Sequence, residues 1–323
     1  VTDVNAGGAL RVGTAAGNVD GSNSVQAGSV VLKGGALDFT ADLGPAAFLS
    51  ASSTGGAIGV DVSNITFGGS NVLDLGALPG GGSMGVGTIR GGSIASSVDI
   101  RPGASNALHF VGLSASGSAL TVNAPLSDHG VAMSVDVAAG AVITLAGNNT
   151  YTGQTTVEGA LTVASNSGLG AGSGAGSDGT VIAGGSLTVR SGVTIADEKI
   201  AIVSGGVINN SGVLTGQIVF SSSGTLTGTG GSFGGLISGS ADFLLAGTIT
   251  LSGNNSYSGT ATVNAGSVTV LSSLPSAKVN GGTLTLSGPQ AGAITLTGGE
   301  VDVNAATTGS FAVSGGTLNM NAA

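Results

Sequence analysis

Apolar and polar residues alternate along this chain in short runs, and glycine punctuates nearly every run. Gly281-Gly282-Thr283-Leu284-Thr285-Leu286, Gly298-Gly299-Glu300-Val301-Asp302-Val303 and Gly315-Gly316-Thr317-Leu318-Asn319-Met320 follow one another at even spacing. The same phrase recurs irregularly at Gly7-Gly8-Ala9-Leu10-Arg11-Val12, Gly34-Gly35-Ala36-Leu37-Asp38-Phe39 and Gly184-Gly185-Ser186-Leu187-Thr188-Val189. A period of two puts every second side chain on one face, so each phrase reads as a glycine corner entering a half-buried strand. Apolar residues at helical spacing with charged flanks are missing, and β-branched residues and glycine interrupt every candidate window. The pattern predicts an all-β fold.

Two longer segments repeat one another. Leu145 to Val163 reads LAGNNTYTGQTTVEGALTV, and Leu251 to Val270 reads LSGNNSYSGTATVNAGSVTV. Each is strand, turn, strand, turn, strand. A unit this small cannot bury its apolar face alone, so it stacks on its neighbours in a solenoid. Coils of about 17 to 25 residues would give on the order of 13 to 18 rungs and an elongated rod about 60 to 85 Å long. One β-helical region over residues 1–323 is expected, with irregular loop-bearing rungs at about 40–125. There Leu78-Pro79-Gly80-Gly81-Gly82-Ser83 reads as a loop leaving the coil, while Ile58 to Val62 and Val98 to Ile100 continue the alternation. Asn166 to Gly179 is a second loop candidate.

Composition narrows the class. With 63 Gly, 41% hydrophobic and only 7% charged residues, the chain is too apolar for a disordered tail. Collagen is excluded, because there is no Gly-X-Y period and only 6 Pro. Varied corners favour one defined fold over in-register amyloid stacking. Without Cys, neither disulfides nor thiolate metal sites are available. A net charge of −9 gives no nucleic-acid signal, and no apolar run could span a bilayer as a helix. Val1 opens on polar residues with no leader pattern, so the chain reads as a mature or excised piece.

Candidate chemistry is thin. Gly81-Gly82-Ser83-Met84-Gly85 and Gly230-Gly231-Ser232-Phe233-Gly234 satisfy G-x-S-x-G, but such matches arise by chance in a Gly- and Ser-rich chain, and neither has a strand-to-helix context. Only His109 and His129 could serve as imidazole bases, and Asp128-His129 would point to opposite faces of a strand. Asp61, Asp74 and Asp99 occur singly, as solvent-facing charges would, and the few cations are scattered. Gly174 to Gly179 fits G-x-G-x-x-G but leads into a strand, and Ser173 to Val181 approximates a single calcium β-roll nonapeptide with no tandem copy. No catalytic, cofactor-binding or metal residue is therefore assigned.

The pairs Asn148-Asn149, Asn209-Asn210 and Asn254-Asn255 read as an internal ladder that satisfies turn backbone groups, against the alternative of an exposed ligand-binding row. Tyr151 and Tyr257 read as corner-packing residues with hydroxyls reaching solvent.

The Leu-x-Gly starts at Leu145 and Leu251, the corners Asn149 to Gly153 and Asn255 to Gly259, and the Thr-Val steps at Thr156-Val157 and Thr262-Val263 resemble the passenger-associated transport repeat of Gram-negative autotransporters. The first copy is one residue shorter after its Thr-Val step. The resemblance implies a right-handed parallel β-helix displayed at the cell surface, tethered by or released from an outer-membrane barrel absent from this sequence. It makes Asn149, Tyr151, Gly153, Asn255, Tyr257 and Gly259 structural corner residues. The expected role is a noncatalytic adhesin or self-association rod. Its partners would be host, matrix or neighbouring-cell surface components, or itself. The alternatives are a subunit of an extracellular filament and a β-helical polysaccharide lyase or hydrolase.

Overall fold

The computed structural model describes residues 2–13, 28–171 and 178–322. Its contacts fall into two compact units, Val1–Ala171 and Gly172–Ala323. Both are built from parallel strands stacked coil upon coil, and helix among the described residues is confined to two three-residue 3-10 turns, Pro45–Ala47 and Gly81–Ser83. The all-β parallel solenoid expected from the alternation is the observed fold.

In the first unit, one sheet runs through Thr2–Asn5, Val30–Phe39, Gly55–Val60, Met84–Gly87, Ala107–Phe110, Ser134–Val137 and Thr155–Val157. A second runs through Gly92–Ile94, Leu120–Val122, Val142–Leu145 and Ala160–Val163, and Val72–Asp74 pairs with Asp99–Arg101. In the second unit three sheets enclose the core. One holds Thr180–Ala183, Ile200–Ser204, Ile218–Phe220 and Ile237–Gly239; the others run from Ser186–Val189 to Phe311–Val313 and from Thr194–Ile195 to Thr317–Met320.

Alternation in sequence becomes alternation in burial. In Thr283–Leu286 and Glu300–Val303, half-buried polar residues take turns with buried apolar ones. Register then stacks like on like, placing Val268, Leu284, Val301 and Leu318 in one column and Val270, Leu286, Val303 and Met320 in the next. Each fully buried Leu or Val in such a column stabilises the stack by roughly 1.5–3 kcal/mol. The glycine corners stack too. Gly266, Gly282, Gly299 and Gly316 all have φ between 72° and 87°, and a Cβ on Gly282, Gly299 or Gly316 would lie 2.5–2.6 Å from the carbonyl oxygen of the glycine one coil before. Only a residue without Cβ meets both demands.

Two local expectations change. Gly34-Gly35 is no corner: it lies inside the ten-residue strand Val30–Phe39, which pairs with both Thr2–Asn5 and Ala9–Val12. The register slips at Asn5, where Gly34 takes φ 85°, so the long strand passes the Ala6-Gly7-Gly8 turn of its neighbour through a bulge. Leu78 to Ser83 does not leave the coil. Leu78 and Gly81 are buried, and Ser83 Oγ donates to the Thr54 carbonyl at 3.3 Å.

Candidate functional site

In the first repeat the corner is held from the coils on either side. Asn149 is buried; its Oδ1 accepts from the Leu126 amide at 2.9 Å and its Nδ2 donates to the Gly168 carbonyl at 2.8 Å. Tyr151 is fully buried, with its hydroxyl 2.7 Å from Thr155 Oγ1, and Gly170 closes over the ring so tightly that a Cβ there would sit 3.0 Å from two ring carbons. Gly153 approaches the preceding coil, where a Cβ would lie 2.4 Å from the Met133 carbonyl oxygen. Asp128 braces the same corner. Its carboxylate accepts from the Met133 and Thr152 amides and from the Thr152 hydroxyl, at 2.8, 3.1 and 2.7 Å.

The second repeat solves the same problem with different partners. Tyr257 is buried, its ring edge-on to Phe243 at 4.9 Å, and Phe243 stacks on Phe220 at 4.2 Å. Ala261 stands where the first repeat has Thr155, so the Tyr257 hydroxyl has no neighbour within the repeat and donates to the Ser276 carbonyl of the next coil at 2.8 Å. Asn255 Nδ2 donates to the Ser273 carbonyl at 3.1 Å, while its Oδ1 is buried without a partner. Gly259 would place a Cβ 2.2 Å from the Ala241 carbonyl oxygen, and the Asp242 carboxylate accepts from the Thr260 amide at 2.6 Å.

These geometries correct the tyrosine expectation: both hydroxyls are inside, because the next coil covers a corner that a single repeat would leave open. The Asn doublets divide. Asn149 and Asn210 are buried and bonded to turn backbone, whereas Asn148 and Asn254 are exposed. Sequence reasoning missed Asp128, Asp242 and Gln290, the last of which clamps both backbone groups of Leu274 at 3.0 and 2.7 Å. No shared local motif marks them, since each braces a turn of a neighbouring coil.

The acids that look isolated in sequence are not isolated in space. Arg11, Asp38 and Asp61 come from successive coils: the guanidinium donates to Asp38 at 2.9 Å and to Asp61 at 2.6 Å. Asp61 Oδ1 also accepts from Thr88 Oγ1 at 2.7 Å and from the Ile89 and Arg90 amides at 2.8 Å each. Burial works against that charge, but the donors prevail and hold the Asp61 carboxyl below the usual carboxylate range. Burial and the neighbouring Asp61 charge push Asp38 the other way, to about 6, against the pull of Arg11. Both carboxyl groups are almost wholly shielded from solvent, so the cluster ties coils together rather than facing a substrate. Asp74, Arg101 and Asp99 form an exposed chain, with His129 Nε2 3.3 Å from Asp99 and 3.2 Å from the Ile100 carbonyl.

The histidines face different acids, His109 lying 3.0 Å from Asp136. Asp128 and His129 sit in a loop, not a strand. Ser83 ends a 3-10 turn and Ser232 lies within a strand, so neither stands on a strand-to-helix elbow. Among the described residues no three His, Asp or Glu side chains gather as metal ligands would. Most of the Gly174 to Gly179 and Ser173 to Val181 motifs, and the middle of the Asn166 to Gly179 loop, lie outside the described residues.

In the first repeat Val142–Leu145 and Ala160–Val163 pair with each other in register, and in the second Thr248–Leu251 and Ser267–Val270 do the same. Each repeat is therefore one whole coil. The family model for the passenger-associated-transport-repeat matches residues 141–164 and 246–270, the same two coils. The chain carries two passenger-associated-transport-repeats. They mark it as an autotransporter passenger region. No curated protein and no solved structure matches the chain. The one-residue difference between the transport repeats falls in the turn before the closing strand: Glu158-Gly159 in the first, Asn264-Ala265-Gly266 in the second, where Gly266 at φ 87° absorbs the extra residue. No described helix is long and apolar enough to cross a membrane, which leaves β-barrel spans unaddressed.

Proposed function

We propose that this passenger region is noncatalytic and acts at the surface of a Gram-negative cell, adhering to host, matrix or neighbouring-cell components or to copies of itself. The observation that carries this reading is that the most distinctive residues of both transport repeats are spent on building the coil. Asn149, Tyr151, Gly153, Tyr257 and Gly259 pack or bond inward, leaving outward rows of short polar side chains such as Thr250, Thr269, Thr285 and Asp302 as the working surface. A repetitive surface with few charges suits many weak contacts in parallel.

Cells displaying the complete protein should clump or attach, and deleting this region should abolish that behaviour. His109→Ala with His129→Ala should leave it intact. If the deletion changes neither clumping nor attachment, while purified chain turns over a glycan or an ester and the histidine changes stop that turnover, the enzyme reading replaces this one. Ordered fibres formed by purified chain, without attachment to cells, would instead support the filament reading.

A further inference from the structure

Where the first transport repeat begins its corner, the strands Gly92–Ile94, Leu120–Val122 and Val142–Leu145 lie side by side and end together. The segments that follow them leave a cleft of about 510 Å³, lined by Ser96, Asn123, Pro125, Ala146, Gly147 and Asn148. One wall is fixed. Asn123 Nδ2 donates to the Ile94 carbonyl at 3.1 Å and reaches Asn64 Oδ1 at 3.5 Å, and Asn64 is itself held by its amide on Ser93 Oγ at 2.7 Å. Asn148 and Ser96 are exposed. Asn148 is thus the outward half of a doublet whose inward half, Asn149, locks the backbone beneath it.

We infer that this cleft binds a neutral glycan. Amides and a hydroxyl provide donors and acceptors on a braced frame, which is what adjacent sugar hydroxyls require. Pro125 and Ala146 provide a small apolar patch for the C–H face of a ring. No charged side chain lines the cleft, and the chain carries a net charge of −9, so acidic sugars and nucleic acid gain nothing there. A peptide is served poorly, because Val142–Leu145 is already paired on both edges and cannot accept an added strand. The inference rests on the adhesive reading for its use, though the binding itself is tested separately.

The full chain would be titrated, by nuclear magnetic resonance or calorimetry, with neutral hexose and N-acetylhexosamine tetrasaccharides, their sialylated and sulfated counterparts, and a neutral polar peptide. At least one neutral sugar should bind and shift the resonances of Ser96, Asn123 and Asn148. Asn148→Ala and Ser96→Ala should each weaken it by about tenfold, the loss of one net hydrogen bond. Asn254→Ala, the equally exposed asparagine of the second transport repeat, should leave binding unchanged, with thermal melts confirming that every variant folds. No neutral sugar bound at millimolar concentration, equal binding of charged sugars or the peptide, or indifference to Asn148→Ala would each overturn the site. Displayed Asn148→Ala protein separates the two claims. Lost sugar binding with clumping intact would uphold the site and detach it from adhesion, whereas clumping without any sugar binding would remove the site and leave adhesion standing.

Discussion

At the scale of single residues, the chemistry of this chain lies in buried polar groups. Glu198 is buried, accepts from Thr180 Oγ1 at 2.7 Å, and is raised to about 7 by burial. An acid that holds its proton more tightly when folded stabilises the fold fully below its unfolded value and loses that contribution as pH rises through its folded value. The window for Glu198 therefore runs from about 4.5 to 7. Glu198→Gln should melt higher than the parent at pH 8 and alike at pH 4, as a calorimetric pH series would show; a variant destabilised at pH 8 would refute the assignment. Asp38→Asn should behave the same way over the lower window ending at about 6. Asp128 has the opposite sign. Burial opposes its charge, but the Met133 and Thr152 donors hold it below the usual range, so its contribution is lost as the pH falls. The tyrosines differ in kind as well. Tyr151→Phe strands the buried Thr155 hydroxyl and should cost about 1–3 kcal/mol, whereas Tyr257→Phe frees a carbonyl on the half-buried Ser276 and should cost less. Equal denaturation midpoints for the two variants would contradict this.

At the scale of the element, the strand faces are fixed by alternation. Val263 points inward, between Leu245 and Val279 in register, and Thr262 points outward beside Leu244 and Lys278. Val263→Asp should bury an unpaired carboxylate and cost several kcal/mol, while Thr262→Asp should change the melting point little. Comparable losses would mean the face is wrong. This much was legible in sequence, because a period of two needs no knowledge of the partner strand. The corner glycines were legible for a similar reason, since Gly153 and Gly259 recur at the same step of both repeats. Asp128, Gln290 and the Arg11, Asp38 and Asp61 cluster were not. Their partners belong to neighbouring coils, and the irregular coil lengths before residue 140 hide which residues come to lie side by side. The tyrosine hydroxyls were misread for the same reason: the cover over Tyr151 comes from Gly170, outside the repeat.

At the scale of the whole molecule, composition and repetition decide how function is delivered. Outward positions are mostly Thr, Ser, Asn and Gly, side chains too short to bury much area on a partner, and only 7% of residues carry charge. A single contact of that kind amounts to a hydrogen bond or two, each worth about 0.5–1.5 kcal/mol net, which is weak against the freedom lost on binding. In the proposed adhesive role, useful affinity would then come from many copies engaging together, where the second contact is made at the effective concentration set by the first. Beads coated with purified chain at graded density should therefore bind cells or one another with a steep, greater than proportional dependence on density. Free chain should compete only at concentrations far above those present on the beads. The His109→Ala plus His129→Ala variant should follow the same curve, since His109 pairs with Asp136 and His129 with Asp99 and the Ile100 carbonyl of a neighbouring coil. Binding proportional to density and blocked by dilute free chain would instead require one strong site, and the case for a surface acting by multiplied weak contacts would fail.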